Sequence, residues 1–147
     1  MLQKIENSWC NEQLVPVPVI EGALQTVVRK ERRATRRVLV VEDTPDIRKL
    51  MQFMLETSGV EVTAVGDGRS AAHMIADWPA PNLVVMDRML PFFSGDELSR
   101  RIRDDAAWAR VPIVVVSAKA RSEEVAQSHA DGANAYITKP FNPKHFI

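Results

Sequence analysis

The chain has a single cysteine, Cys10, among its 147 residues. An internal disulfide is therefore excluded, and so is a metal site that needs several cysteines. The 19 basic and 19 acidic side chains give a formal net charge of zero, so no global field would attract nucleic acid or a membrane. The longest early apolar run, residues 14–20, is short and broken by Pro16 and Pro18, unlike a signal sequence or a membrane span. These absences favour a cytoplasmic protein with no membrane partner.

The first 36 residues differ from the remainder and are predicted to be an N-terminal extension or linker. Their main feature is the basic run RKERRATRR at 29–37. A solvated linker is the favoured interpretation of this run, and contact with an acidic partner or nucleic acid is the alternative. Because no aromatic side chain is interleaved with the charges, direct DNA binding is not expected.

From Val38 onward, strand and helix patterns alternate five times, which predicts a single domain over 37–147. Five apolar runs predict strands: VLVVE (38–42), VEVTAV (60–65), NLVVMD (82–87), VPIVVVS (111–117) and NAYI (134–137). The segments after them have helix signals, including apolar Ile47, Leu50, Met51, Met54 and Leu55 at helical spacing, Ser122 as an N-cap, and a truncated fifth helix from Asn142. This alternation predicts an α/β fold with a parallel sheet covered by helices on both faces. The strand order is not given by the pattern.

Polar residues end several of these predicted strands. The first ends in Glu42 and Asp43, the third in Asp87 and the fourth in Ser117, and Lys139 follows the fifth. Since ligands of open parallel sheets bind at the carboxyl ends of the strands, these groups are expected to converge. Three clustered carboxylates require a cation, and an all-oxygen ligand set favours Mg²⁺. Together with a hydroxyl and an amine, this set points to phosphoryl transfer onto an aspartate.

Other interpretations of these residues are less favoured. An acid at a strand end, taken alone, is more often a helix cap, but four polar features on successive strand ends are not easily accidental. The sequence has no glycine-rich phosphate loop, which argues against a nucleotide or flavin carrier. Its three histidines, His73, His129 and His145, are far apart in the sequence and are not expected to bind a metal.

At these residues the chain resembles the receiver domain of two-component response regulators, and most closely the OmpR/PhoB-type branch. The resemblance rests on four motifs in the family's order and spacing, over roughly 36–147: VLVVEDTPDIRKLM, NLVVMDRMLPFFSGDEL, VPIVVVSAKA and YITKPF. It implies a flavodoxin-like (βα)₅ three-layer sandwich with strand order 2-1-3-4-5, a response regulator in the cytoplasm, and phosphorelay signal transduction through an aspartyl phosphate.

The resemblance also implies a role for each site residue. Asp87 would be the phosphoacceptor, taking the phosphoryl group from a phosphohistidine of a sensor histidine kinase or phosphotransfer protein. Asp43 and Asp87 would bind Mg²⁺ directly, Glu42 through water, and Met89 through its backbone carbonyl. Lys139 would hold Asp87 at rest and a phosphoryl oxygen afterwards, and the Lys139–Pro140 bond would be cis. The domain would catalyse only its own phosphorylation and dephosphorylation, so it would not be an enzyme in the usual sense.

Two further residues would carry the switch, according to the same resemblance. Ser117 would bond the phosphoryl group, and Tyr136 would rotate from exposed to buried behind it. A half-packed edge-strand tyrosine is the plain alternative. Where the OmpR/PhoB-type branch has a pair of acids used in dimer salt bridges, this chain has Asn134 and Ala135. A homodimer is thus only one possible assembly, and a pseudo-receiver that binds proteins without control by phosphorylation is the alternative function.

Overall fold

Five β-strands and four α-helices alternate along the part of the chain that the computed structural model describes, residues 35–119 and 121–140. The strands are β1 (Arg37–Val41), β2 (Glu61–Val65), β3 (Leu83–Asp87), β4 (Ile113–Ser117) and β5 (Ala135–Thr138). The helices are α1 (Pro45–Thr57), α2 (Gly68–Asp77), α3 (Gly95–Asp104) and α4 (Ser122–Ala130). The predicted fifth helix at 142–147 and most of the predicted N-terminal linker lie outside the described residues.

The strands form one parallel sheet in the order β2-β1-β3-β4-β5. This is the order that the resemblance implies, so the flavodoxin-like α/β fold is confirmed. Among the described residues, no helix is long and apolar enough to cross a membrane.

Apolar side chains pack on both faces of the sheet because alternate strand residues point to opposite sides. On β1, Val38 and Val40 pack with α1, whereas Leu39 and Val41 pack with α2 and α3. The strands β3 and β4 are buried along their whole length, as continuous apolar runs predict for central parallel strands. Burying each such side chain contributes about 1.5–3 kcal/mol, so the two layers fix the sheet and with it the ends of its strands.

The four predicted helices that fall on described residues were correct in type but not in every residue. On α1, Met51, Met54 and Leu55 are buried as predicted, but Leu50 is 43% exposed. Leu50 lies on the outer edge of the apolar stripe, which three buried side chains already fill. The prediction that Ser122 is the N-cap of α4 is also wrong. Arg121 occupies that position, without a side-chain capping bond. Ser122 is instead the first residue of the helix.

Arg103 at the end of α3 joins the loops that precede β4 and β5. Its guanidinium donates to the carbonyl oxygens of Ala109 and Val111, at 2.9 and 2.7 Å, and to that of Gly132, at 3.1 and 2.7 Å. It also donates to Asn134 Oδ1 at 2.8 Å, and burial lowers the pKa of Arg103. Asn134, at a position where the OmpR/PhoB-type branch has an acid, is buried and also accepts from the N–H of Ile113 at the start of β4, at 2.7 Å, so it ties two strand starts together.

The N-cap of α2 offers a direct test of how this fold is held. Asp67 accepts from the Ser70 backbone N–H at 2.7 Å and from the Ser70 hydroxyl at 3.0 Å. The backbone hydrogen bond from Ser70 lowers the pKa of Asp67. We expect Asp67→Ala to lower the free energy of unfolding by about 1 kcal/mol in urea titrations near neutral pH.

The loss should fade on acidification, because a carboxylate with a depressed pKa stabilises the fold only while ionised. The matched control is Asp77→Ala at the other end of α2, which should change stability little. Equal losses for the two variants, or a loss at Asp67 that does not depend on pH, would contradict the capping role.

Candidate functional site

The carboxyl edge of the sheet carries the polar residues that the strand pattern singled out. Glu42 follows β1, while Asp87 and Ser117 are the last residues of β3 and β4. Lys139 follows β5. Because all five strands are parallel, these four positions lie at the same edge.

Three of the acids form a tight cluster there. One carboxylate oxygen from each of Glu42, Asp43 and Asp87 lies within 4.8 Å of the others. Glu42 is fully buried, Asp87 is 6% exposed, and Asp43 faces solvent. Like charges this close to each other, two of them away from water, repel strongly unless a cation compensates them.

The Lys139 amine is the cation that the described chain supplies. Its Nζ lies 2.9 Å from Glu42 Oε2 and 2.6 Å from Asp87 Oδ2. Burial alone would lower the pKa of Lys139, but hydrogen bonds to Asp87 and Glu42, with their charges, outweigh burial and raise that pKa. The amine is therefore held charged between the two carboxylates. The Lys139–Pro140 peptide bond is cis, as predicted.

Glu42 is the most deeply placed of the three acids. Burial raises its pKa, and the Asp87 charge adds to that effect, although hydrogen bonds from Lys139 and the Thr44 backbone N–H oppose it. The Thr44 N–H donates to Glu42 Oε1 at 3.2 Å. Each carboxylate oxygen of Glu42 thus has one donor, which fixes the side chain toward the cluster.

Asp87 is oriented by its own loop as well as by Lys139. The Met89 backbone N–H donates to Asp87 Oδ1 at 2.9 Å, so the two carboxylate oxygens have different partners. Gly95, at the start of α3, lies against this loop, and a Cβ added there would be 2.5 Å from the Asp87 carbonyl oxygen. Only glycine allows α3 to approach the strand end so closely. The Met89 carbonyl as a metal ligand stays a prediction.

Ser117 and Tyr136 both contact the loop between β4 and α4. The Ser117 hydroxyl oxygen accepts from the Lys119 N–H at 3.2 Å, so it bonds within its own loop. The Tyr136 hydroxyl donates to the Lys119 carbonyl oxygen, and the side chain is 4% exposed. The resemblance implies an exposed tyrosine in the resting form, whereas here Tyr136 is buried while Lys139 keeps its contact with Asp87.

A polar network next to the acids was missed in the sequence. The Arg88 guanidinium lies between α3 and α4, with Nε 2.9 Å from Asp96 Oδ2 and Nη1 3.8 Å from Glu124 Oε1. Ser128 of α4 donates to Asp96 Oδ1 at 2.7 Å. We call these four residues the Arg88 network. Arg88 and Asp96 lie within the motif NLVVMDRMLPFFSGDEL, but nothing in the sequence indicates that they meet Glu124 and Ser128 of α4.

The cluster suits a hard divalent cation on its donor chemistry. Its ligand atoms are all oxygens, and Mg²⁺ prefers one or two carboxylates with further oxygens and waters. Lys139 carries one positive charge against three carboxylates, which leaves room for a metal charge. The exposed side of the cluster is at Asp43, so a partly hydrated ion would be held from there.

Comparisons with known proteins agree on one family. The model of the response regulator receiver domain matches residues 38–147. The phosphate regulon transcriptional regulatory protein PhoB of Escherichia coli is 35% identical over 112 residues, which cover 76% of this chain and 48% of PhoB. The DNA-binding response regulator MtrA of Mycolicibacterium smegmatis is 34% identical over 76% of this chain and 47% of its own length. The chain therefore spans about half the length of the curated relatives it matches.

The solved structures that match are also response regulators or receiver domains. The chemotaxis response regulator CheY4 of Vibrio cholerae superposes with a TM-score of 0.72 at 26% identity, covering 77% of this chain and 93% of CheY4. The receiver domain of the sensor histidine kinase PA1611 from Pseudomonas aeruginosa gives 0.68 at 32% identity, covering 75% and 89%. That structure has a magnesium ion coordinated in the active site cleft.

Proposed function

Because the chain belongs to the response regulator receiver domain family, we propose that residues 37–147 form a phosphoacceptor domain and that Asp87 receives the phosphoryl group. Residues 1–36 are then an extension or linker. The observation that carries the proposal is the position of Asp87 in the acid cluster, with Lys139 Nζ 2.6 Å from its Oδ2. The donor is the phosphohistidine of a sensor histidine kinase or phosphotransfer protein.

The reaction needs a nucleophilic carboxylate and compensation of charge. One Asp87 oxygen attacks phosphorus as the bond from phosphorus to the imidazole nitrogen breaks, and the electron pair returns to the histidine. Asp43, Asp87 and the Met89 carbonyl would hold Mg²⁺, with Glu42 acting through water. The bound ion supplies positive charge next to the phosphoryl oxygens. Little other chemistry is required of the protein, since positioning and charge neutralisation dominate this class of transfer.

Two residues then respond to the change at Asp87. Lys139 leaves the carboxylate oxygen for a phosphoryl oxygen, and the Ser117 hydroxyl exchanges the Lys119 N–H for the phosphoryl group. Tyr136 stays behind the loop, bonded to the Lys119 carbonyl oxygen. The local change of charge thereby biases a surface that includes α4 and β5.

The proposal describes a cytoplasmic signalling protein whose only reactions are its own phosphorylation and dephosphorylation. Its partners are the kinase and a target that reads the phosphorylated surface, with a homodimer as one possible target. The part of the chain matched by the family model is the receiver itself, so we propose no direct DNA contact for it.

Phosphoryl labelling tests the proposal. After incubation with acetyl phosphate and Mg²⁺, intact-mass measurement should show one phosphoryl adduct, and a chelator should prevent it. Reduction with borohydride followed by peptide mapping should locate the adduct at Asp87. No adduct with either acetyl phosphate or a phosphorylated kinase would refute the proposal and favour a pseudo-receiver that only binds proteins.

Asp43→Asn tests the proposed Mg²⁺ ligands separately from the proposed phosphoacceptor. Because Asp43 is the solvent-facing acid of the cluster, its loss should weaken Mg²⁺ binding about tenfold or more, since Mg²⁺ sites use only one or two carboxylates. Calorimetric titration with Mg²⁺ measures the effect, and labelling should slow at limiting Mg²⁺. Asp46→Asn, an exposed acid in the first turn of α1, is the matched control. Equal Mg²⁺ affinity for the Asp43 variant and the wild type would remove Asp43 from the ligand set.

A further inference from the structure

Arg88 makes one complete and one incomplete contact with two different helices. Its Nε–H donates to Asp96 Oδ2 at 2.9 Å, which is a full charge-assisted hydrogen bond. Its Nη1 is 3.8 Å from Glu124 Oε1, beyond hydrogen-bond distance. One guanidinium thus faces a carboxylate of α3 that it binds and a carboxylate of α4 that it does not quite reach.

The α3 side of this arrangement is satisfied. Besides Arg88, Asp96 accepts from the Ser128 hydroxyl at 2.7 Å, so both of its oxygens have donors. Asp96 also lies in the first turn of α3, where the helix dipole favours a negative charge. The Asp96 carboxylate therefore needs no further donor.

The α4 side is unsatisfied. Glu124 Oε2 is buried and has no hydrogen-bond partner within the described part of the chain. A buried carboxylate oxygen without a donor is unfavourable, and native proteins seldom leave one without a reason. Arg is the side chain best suited to pair with both oxygens of a carboxylate. A shift of about 1 Å would bring Nη1 to bonding distance of Glu124 Oε1, and a bidentate approach would give Oε2 the donor that it lacks.

Arg88 and Glu124 each lie close to a part of the site that changes in the proposed function. Arg88 directly follows Asp87, and its backbone N–H donates to the Val116 carbonyl oxygen at 3.0 Å. Glu124 lies in the first turn of α4, after the loop that begins at Ser117. Movement of that loop toward a phosphorylated Asp87 would therefore change the gap between Arg88 and Glu124.

We propose that the pair between Arg88 and Glu124 closes when Asp87 carries the phosphoryl group, and that this closure passes the state of the site to α4. The proposal rests on the proposed function. Arg88 is a positioning residue that keeps Asp96 and gains Glu124. By linkage, a contact made only in the phosphorylated form also raises the affinity of the site for a phosphoryl mimic.

Binding of beryllofluoride in the presence of Mg²⁺, followed by fluorine NMR, tests the proposal on the whole chain. Glu124→Gln should weaken beryllofluoride binding about fivefold, the lower end of typical coupling between sites. Its Mg²⁺ affinity in the absence of beryllofluoride should equal that of the wild type. Glu123→Gln removes the same charge from the same turn of α4 and should bind beryllofluoride like the wild type.

A double-mutant cycle distinguishes the specific pair from a general effect on structure. Arg88→Gln should also weaken binding, and the double variant with Glu124→Gln should lose no more than the larger single loss. Arg88→Lys keeps a charge beside Asp96 but cannot bridge two carboxylates, so it should behave like Glu124→Gln even if Arg88→Gln does not fold.

Two results would overturn this inference alone: wild-type affinity in Glu124→Gln, or losses that multiply in the double variant. Failure of the wild type itself to bind beryllofluoride with Mg²⁺ would instead count against the proposed function, and the inference would fall with it.

Discussion

The Asp87→Asn variant should show no phosphoryl adduct under conditions in which acetyl phosphate and Mg²⁺ label the wild type. An amide oxygen is a poor nucleophile and cannot form the acyl phosphate, so labelling should fall by at least about 10³-fold, as for other residues that react directly. The fold should survive, because Asn keeps an oxygen for the Met89 N–H, which Asp87 Oδ1 now accepts at 2.9 Å. Lys139 would keep its contact with Glu42 at 2.9 Å.

Intact mass and thermal melting, measured on the same preparation, check both halves of this expectation. Asp104→Asn, an exposed acid at the end of α3, is the matched control and should label like the wild type. If Asp87→Asn labels as well as the wild type, the acceptor is another residue. Peptide mapping would then show whether Glu42 or Asp43, the other two acids of the cluster, carries the adduct.

The fold was predictable from sequence wherever burial leaves a strong pattern. The runs at β3 and β4 are apolar throughout because both faces of a central strand are covered. The sheet order came only from the family resemblance, since periodicity does not say which strands are neighbours. The burial of Trp108 was not predictable. This side chain is 1% exposed, and its Nε1–H donates to the Trp78 carbonyl oxygen. It lies in an irregular turn, where no periodic pattern marks a buried residue.

The convergence of the site residues was predictable for a geometric reason. Parallel strands end at the same edge, so Glu42, Asp87 and Lys139 had to approach one another once the strand ends were placed. The contacts of Arg88 and Arg103 were not predictable, because they depend on how far each helix is rotated about its axis. Asn134 illustrates this limit. The sequence shows only that it departs from the family pattern, whereas the structure shows that its side chain accepts a hydrogen bond from Arg103 at 2.8 Å.

Lys139→Met is expected to be the most destabilising substitution at the site. It removes the amine that contacts fully buried Glu42 and leaves the two neighbouring acids uncompensated. Breaking a fully buried ion pair costs about 3–5 kcal/mol. Because the Lys139 side chain is 16% exposed, we expect a loss of about 2 kcal/mol in the free energy of unfolding near neutral pH. Lys49→Met, on the exposed side of α1, should change stability little.

The pH dependence of that loss identifies its cause. Burial raises the pKa of Glu42, and removing Lys139 raises that pKa further, because its hydrogen bond and charge oppose the effect of burial. An acid whose pKa is higher in the folded state binds protons preferentially there, so stability rises as pH falls through that pKa. The deficit of Lys139→Met should therefore be larger near neutral pH and shrink on acidification in urea titrations. Mg²⁺ should also narrow it, because the carboxylates that lose the Lys139 amine attract the ion more strongly, so that its binding stabilises the variant more than the wild type. A deficit that is constant with pH and insensitive to Mg²⁺ would mean that Lys139 contributes through packing rather than by compensating the buried carboxylates.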